Sequence, residues 1–544
     1  MRRRLLAAPS PGGLLLGALL FALSLTPSMV PRGPLVQGAL GGALLAIGYL
    51  LWRAAAGALA WLDLAPPPSR LLARAALALA GLAALGGLWA GKGWQDSVRA
   101  AWGLPPLESF APLLVAGTAA ALFVVLLGLG RAVAGLALRL GAWADRLLPT
   151  RAARAVGLVA AGALVLLLVD GVLLRGVVRA IDGASRVADA LTPPGTAAPE
   201  EPGRTGGPGS LVAWEDLGAA GRDFVSGGPD AARIAAFWGE PAPRPIRVYV
   251  GLTGAPTPEA RARLAFDELL RQGGFERAAL VIAMPTGTGW LDPGAMDSLD
   301  VLARGDVATV AVQYSYLPSP VSVFVDPSHG RAEARALFDL VYGHWKALPR
   351  DARPRLYLHG LSLGAHLSQD TVPLLDVLAD PFDGAMWAGS PFLSTFWRMV
   401  VERREPGSPA WRPRFGNGSL IRASNQAGDF GAEAGGVPWG PMRLVFLQYG
   451  SDPIVFFDPS LAWRRPGWLE AGRAPDVSPL MRWIPLVTAA QVAVDMGFAL
   501  GVRGFGHDYA PEDYIPAWAA TLGIEGWTQA DTARLARTLS GAGP

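Results

Sequence analysis

The chain changes its hydrophobic rhythm about a third of the way along. In the first part, uncharged apolar runs recur at 12–30, 34–51, 75–91, 111–130 and 155–169. Each is near the length needed to cross a hydrocarbon core about 30 Å thick, and the two shorter ones extend past flanking charges that can snorkel. Arg2, Arg3 and Arg4 before the first run would also suit a signal peptide. No small-x-small cleavage site follows clearly, and four more runs come after, so the run reads as an anchor. From 247 onward the pattern becomes short β-rich runs at 247–252, 278–284, 307–314, 355–358, 384–388 and 444–449, separated by helical stretches such as 258–272 and 331–347. Continuous apolar strands alternating with amphipathic helices predict an α/β fold with a mostly parallel sheet covered on both faces. Between the two regimes, LTPPGTAAPEEPGRTGGPGS at 191–210 is dense in Pro and Gly, as a tether would be. The expected organisation is an all-α transmembrane bundle of about five helices over 1–180, a linker and helical lead-in over 181–240, and an α/β domain over 241–544.

Charge refines the first part. Residues 1–190 hold 17 Lys/Arg against 7 Asp/Glu, and the remainder holds 30 against 37. The pI of 9.3 therefore belongs to the membrane-like third, and no nucleic-acid partner is needed to explain it. The partner implied is a lipid bilayer. With the N-terminus cytoplasmic, inside segments carry Arg2, Arg3, Arg4, Arg53, Arg70, Arg74, Arg131, Arg139, Arg146, Arg151 and Arg154, whereas outside loops carry Arg32, Lys92 and Arg99. That bias, with five crossings, places everything after Arg175 outside the cytoplasm. Trp89, Trp94 and Trp102 suit an interfacial belt at an outer boundary. Asp170, at the outer end of the fifth run, reads as a headgroup-level carboxylate beside Arg175 rather than part of a translocation path. The absence of cysteine removes disulfides, Cys-ligated metal and thiol catalysis, and favours no compartment.

The chemistry concentrates around LYLHGLSLGAHLSQ, at 356–369. With 68 glycines in the chain, chance alone gives roughly 0.4 copies of G-x-S-x-G, so context must carry the assignment. Ser362 falls where a buried strand ends and a helix begins, at the carboxyl edge of the sheet where open α/β sheets place ligands. Gly360 and Gly364 would relieve steric conflict in the tight turn, and Leu363 would offer a backbone N–H to an oxyanion. A serine needs a base, and the base needs a third group to fix its tautomer. Past the strand LVFLQY comes Asp452 in GSDPIVFFDP, with Asp458 in reserve. Of the five histidines, only His507, in RGFGHDYAPEDY, follows the acid. His359 and His366 flank the turn and read as packing or hydrogen-bonding residues, with no recognised metal spacing. A second oxyanion donor is expected from PTGTGW at 285–290, where Thr286 and Gly287 are the candidates and a tight structural turn is the competing reading. No cofactor and no metal are called for.

PTGTGW, VQYSYLPS, the serine turn, SDPIVFFDP, DVSPLMRWIP and GHDY, all behind a multi-helix region, resemble the bacterial α/β-hydrolase family that pairs an N-terminal transmembrane domain with a C-terminal serine-hydrolase catalytic domain. The resemblance implies Ser362 at the family's elbow, Asp452 in its SDP loop and His507 in its GH motif. Two departures stand out. The position before the serine, usually acidic, is Leu361, and no clear strand precedes the His507 loop, where 481–500 reads helical. The expected function is a membrane-anchored serine hydrolase of esterase or lipase type acting on a lipid or other acyl ester. The rivals are an envelope acyltransferase with the same triad and a non-catalytic membrane scaffold on a hydrolase fold.

Overall fold

The computed structural model describes residues 9–541 apart from 66, 68, 169–170, 172–174, 193–195, 319–329, 429, 431–436 and 471. Asp170, His329 and most of the segment FVDPSHG lie outside the described residues. The chain divides into two units: residues 1–180 with 457–469 and 475–498, and residues 181–456 with 470–474 and 499–544.

The first unit is helical: α1 (Pro11–Ser24), α2 (Pro34–Trp61), α3 (Arg70–Ala101), α4 (Pro112–Ala144) and α5 (Thr150–Leu168). Four of these, α2 to α5, are long and apolar enough to cross a membrane. The first expected span differs. Its 14 helical residues cover only about 21 Å, because the run 12–30 contains Pro27. Proline has no N–H to give a helix and biases the residue before it away from helical dihedrals, so α1 stops at Ser24.

Glycine governs how closely these helices approach. A Cβ on Gly48 of α2 would lie 2.8 Å from the Gly17 Cα of α1, and one on Gly42 would lie 2.6 Å from the Ala119 carbonyl oxygen of α4. Only a residue without a side chain lets the backbones meet there.

The broken end of α1 leaves carbonyls without intrahelical partners, and burial makes that costly. Gln37 Nε2 donates to the Ser24 carbonyl at 3.0 Å, and Gln491 Nε2 donates to those of Ser24 at 3.1 Å and Thr26 at 2.9 Å. Gln491 belongs to helix Val487–Asp495, whose last residue is a fully buried carboxylate. Asp495 accepts from Arg32 Nε at 2.7 Å, Met29 N at 3.1 Å and Ser28 Oγ, so an ion pair with no exposed side-chain surface is fully hydrogen-bonded. Val487 also packs against Leu20, Leu40 and Leu44. The segment between the Asp452 and His507 loops thus carries the polar and apolar groups that complete the first unit.

The second unit is built on a seven-stranded, wholly parallel sheet: β1 (Ile246–Val250), β2 (Ala279–Met284), β3 (Val307–Val312), β4 (Arg355–Leu361), β5 (Gly384–Ala388), β6 (Ile421–Ser424) and β7 (Arg443–Leu447), in the order β1-β3-β2-β4-β5-β7-β6. β2 and β3 are buried along their whole length, which is why their sequences read as unbroken apolar runs. The sequence pattern misses β6, whose four residues IRAS at the sheet edge include an arginine and a serine. Register brings the carboxyl ends of the central strands level. Met284 pairs with Gly360, Leu361 with Ala388, and Ala388 with Leu447. The loops leaving β2, β4, β5 and β7 therefore emerge side by side.

Candidate active site

β4 passes straight into helix Leu363–Asp370, and the whole reversal is made at Ser362, with φ +57° and ψ −126°. A positive φ at a non-glycine residue stores strain that the surroundings must enforce. Two glycines make the room. A Cβ at Gly360 would lie 2.4 Å from the backbone carbon of Gly364, and one at Gly364 would lie 2.1 Å from the Met284 carbonyl oxygen at the end of β2. Ser362 N–H donates to the Ala388 carbonyl at 3.1 Å, tying the turn to the end of β5. Ser362 is 1% exposed, and its Oγ has no hydrogen-bond partner among the described residues.

Asp452 lies in the turn past β7 and is fully buried. Its Oδ1 accepts from Ile454 N at 2.9 Å. Its Oδ2 faces His507 Nδ1 at 2.6 Å and accepts from Tyr509 OH at 2.9 Å. The His507 loop is held at three points: His507 N–H donates to the Ala499 carbonyl at 2.8 Å, Gly506 N–H to Ser451 Oγ at 3.0 Å, and the Tyr509 ring meets the imidazole edge-to-face. The imidazole lies over Gly389, where a Cβ would come within 2.6 Å of His507 Cε1. Gly389 follows Ala388, the residue that holds Ser362. Two elements distant in sequence thus meet at one two-residue corner. His507 Nε2, like Ser362 Oγ, is buried and has no partner among the described residues. An imidazole held at Nδ1 by a carboxylate keeps Nε2 as its basic nitrogen. Ser362 Oγ and His507 Nε2 are not hydrogen-bonded to each other in this structure.

The helix behind Ser362 starts at Leu363, whose buried N–H belongs to the first turn, where intrahelical acceptors are lacking. The 285–290 loop abuts the same turn through the Met284 and Pro285 carbonyls. Within it, Thr286 N–H is committed to the Trp290 carbonyl at 2.9 Å and Gly289 N–H to the Thr286 carbonyl at 2.9 Å. What Thr286 has left to offer is its hydroxyl, and Gly287 follows it at the tip.

The other titratable candidates have structural partners. Asp458 caps the turn Pro459–Ala462 by accepting from Ser460 N at 2.7 Å. His359 bonds the Met386 carbonyl through Nδ1 at 2.8 Å beneath the Trp518 ring, and burial pushes its pKa down to about 4. His366 reaches Ser394 Oγ at 3.5 Å, and burial again favours the neutral ring. His344 packs between Phe266 and Phe275. Among the described residues no group of three or more acidic or histidine side chains could hold a metal ion.

Sequence reasoning did not assign Tyr509 or Tyr449. Their rings stack at 4.2 Å, Tyr509 OH serves Asp452, and Tyr449 OH accepts from Ala510 N at 2.9 Å while donating to Asp513. The signal was present in GHDY and LQYG, but an aromatic beside an apolar run is most often core.

A parallel sheet with flanking helices, a strained serine after β4 and a histidine–carboxylate pair at the same edge defines the α/β-hydrolase fold class. The chain belongs to the alpha/beta-hydrolase family: that family's model matches residues 246–535, and the model of its N-terminus matches residues 25–229. No curated protein and no solved structure matches the chain.

Proposed function

We propose that the protein is a membrane-anchored serine hydrolase that cleaves an ester of a lipid or other acyl substrate. Ser362 Oγ attacks the ester carbonyl as His507 Nε2 takes its proton, and Asp452 stabilises the imidazolium through Nδ1. Leu363 N–H, with Thr286 and Gly287 of the neighbouring loop, receives the negative charge that develops on the carbonyl oxygen. One such donor contributes about 3 kcal/mol in the transition state. The tetrahedral intermediate collapses with the C–O bond breaking, the alcohol leaves with the proton from His507, and water releases the acyl group from Ser362 by the reverse sequence. The observation that supports this reading is the His507–Asp452 pair at Nδ1, with His507 over Gly389 and the Ser362 backbone tied to the neighbouring Ala388, while Ser362 Oγ and His507 Nε2 are both buried and without partners among the described residues. A bilayer-associated ester is favoured because the described residues include four helices suited by length and composition to span a membrane.

The test is covalent labelling of the full-length protein with a fluorophosphonate. Labelling should vanish in Ser362→Ala and slow by at least a hundredfold in His507→Ala. A folded wild-type protein that does not label, or a Ser362→Ala variant that labels normally, overturns the proposal.

We also propose that the C-terminal unit is extracytoplasmic. The arginines at 53, 70 and 74 bracket the α2–α3 connection, and those at 131, 139, 146, 151 and 154 bracket the α4–α5 connection. With both connections cytoplasmic, the chain after α5 lies outside whether or not α1 crosses. Alkaline phosphatase fused after Gly541 should be active, and an inactive, stably expressed fusion would refute this orientation.

A further inference from the structure

The ends of three long helices converge on a cleft of about 140 Å3 in the first unit. It is lined by the segment before α2 and the α2 start (Pro31, Gly33, Pro34), the last turns of α3 (Gln95, Arg99) and the connection to α4, including Ser109. α2 begins there, α3 ends there and α4 starts just beyond, so the cleft lies at one end of the set of helices suited to span the membrane. In a bilayer such helix ends sit at headgroup level.

Its chemistry is that of a donor site. Gln95 is 1% exposed, and its Oε1 accepts from Arg32 N–H at 3.0 Å, which fixes the amide so that Nε2 is the remaining atom. That Nε2 is buried and has no partner among the described residues. An amide N–H in this state is costly unless something accepts from it. The second contribution is the N-terminus of the 28-residue α2. Gly33 provides no side-chain cap, and the first intrahelical bond is Gln37 N–H to the Gly33 carbonyl, so the earlier N–H groups and the positive end of the helix dipole remain for a ligand. Arg99 brings a half-buried guanidinium whose Nε donates to the Pro105 carbonyl at 2.6 Å. Ser109 adds a hydroxyl that accepts from Ala111 N and keeps its own proton to donate. Among the described residues no carboxylate lines the cleft. Asp96, next to Gln95 in the chain, is occupied by Lys92 Nζ and Leu107 N, each at 2.7 Å, and Glu108, between Leu107 and Ser109, is not among the lining residues. The Arg32 guanidinium is consumed by Asp495, Gln37 and the Gln491 carbonyl, so it stiffens the wall rather than greeting a ligand. Leu107 and Phe110 give the cleft an apolar side.

We propose that this cleft binds a phosphate-type anion at the membrane surface. Gln95 Nε2, Arg99 and the first-turn N–H groups of α2 hold the oxygens, and the apolar side accommodates an attached glyceryl or acyl portion. A phospholipid headgroup and free phosphate share the recognised chemistry.

The test uses the full-length protein in non-ionic detergent, titrated calorimetrically with dioctanoyl phosphatidylglycerol, inorganic phosphate and dioctanoylglycerol. The expected result is saturable one-to-one binding of the phosphatidylglycerol and none of the phosphate-free diacylglycerol. Gln95→Glu keeps the acceptor for Arg32 N–H but replaces the donor by a carboxylate oxygen, and should weaken binding at least tenfold. Arg99→Gln should weaken it several-fold, and because Arg99 is half-exposed it serves as the test should Gln95→Glu fail to fold. Inorganic phosphate binding as tightly as the lipid makes free phosphate the source and still supports the anion site. Phosphate binding a hundredfold more weakly than the lipid makes the headgroup the source. Absence of saturable binding to the folded wild-type protein, or equal affinity in folded variants, overturns the proposal. Ser362→Ala should bind like wild type, which separates this result from the hydrolase reading.

Discussion

Replacing Gly389 by alanine adds one methyl group against the ring that the proposed mechanism depends on. The new Cβ would stand 2.6 Å from His507 Cε1, 3.1 Å from Nδ1 and 3.0 Å from Tyr509 Cε2. Carbon–carbon contacts settle at about 3.5–4.0 Å, so the imidazole must retreat by roughly 1 Å. It has little freedom to do so, since Nδ1 is bound to Asp452 and the backbone of its loop is pinned at His507 and Gly506. A misplacement of about 1 Å costs on the order of a hundredfold in rate, equivalent to about 2.7 kcal/mol of barrier. Gly389 also has φ +54°, where a side chain adds about 1–2 kcal/mol of backbone strain. Gly407→Ala separates the two effects, because φ there is +84° but a Cβ meets nothing within 4 Å. Measured as kcat/KM on a p-nitrophenyl ester and as the fluorophosphonate labelling rate, Gly389→Ala should fall about a hundredfold. Gly407→Ala should lose a few degrees of melting temperature and keep its activity. If Gly389→Ala, folded, retains activity within twofold of wild type, His507 is not the working base.

Tyr509→Phe removes one of the three donors to the Asp452 carboxylate, an interaction with a charged acceptor worth about 1.5–3 kcal/mol. We expect kcat to fall about tenfold with KM unchanged in steady-state ester hydrolysis, and an unchanged kcat would show that His507 and Ile454 suffice to hold the acid. Burial raises the Asp513 carboxyl from 3.8 to about 7. The folded state then binds more protons than the unfolded state between those values, so this group's contribution to stability is present below about pH 4 and lost as pH rises through 7. The loss is at most about 4 kcal/mol. Asp513→Asn, followed by tryptophan-fluorescence unfolding at pH 4.5 and 7, should therefore gain stability relative to wild type as pH rises, and a constant difference would refute the shift. His359 has the opposite sign, because its pKa is depressed from 6.5 to about 4. Its contribution is present above 6.5 and lost as pH falls toward 4, at most about 3 kcal/mol. In the same assay His359→Gln should be relatively more stable at pH 4.5 than at 7.

What was legible in the sequence was what local patterning encodes. Six of the seven strands announce themselves as apolar runs because both sheet faces are covered, and the turn at Ser362 announces itself because two glycines are sterically required beside it. Asp452 and His507, which the structure bonds to each other, stood out by order along the chain and by the scarcity of histidine. Where a side chain's role depends on what a distant segment brings to it, the pattern is silent. IRAS is a strand only because β7 offers a free edge. Tyr509 looks like core until the carboxylate it serves is placed beside it. Pro27 was visible, yet a window of hydropathy averages over it, whereas the backbone cannot.

Arg32 shows how far a charge read in isolation can differ from the same charge in place. As a letter it is one of three positive residues assigned to outer loops and counts toward topology. In the structure it is buried and neutralised by Asp495, which lies 463 residues away and looks like the end of an unremarkable helix. An ion pair of this kind contributes little net stability, since desolvation offsets most of the attraction, but removing either partner strands a charge at a cost of about 3–5 kcal/mol. The broken end of α1 is met by a segment that supplies both a carboxylate for Arg32 and an amide for the Ser24 and Thr26 carbonyls. Helix Val487–Asp495 supplies both from residues four apart, Gln491 and Asp495, on one helical face. That pairing ties the stretch between the Asp452 and His507 loops into the helical unit, so the N-terminal helices of this chain also hold part of the sequence that joins those two loops.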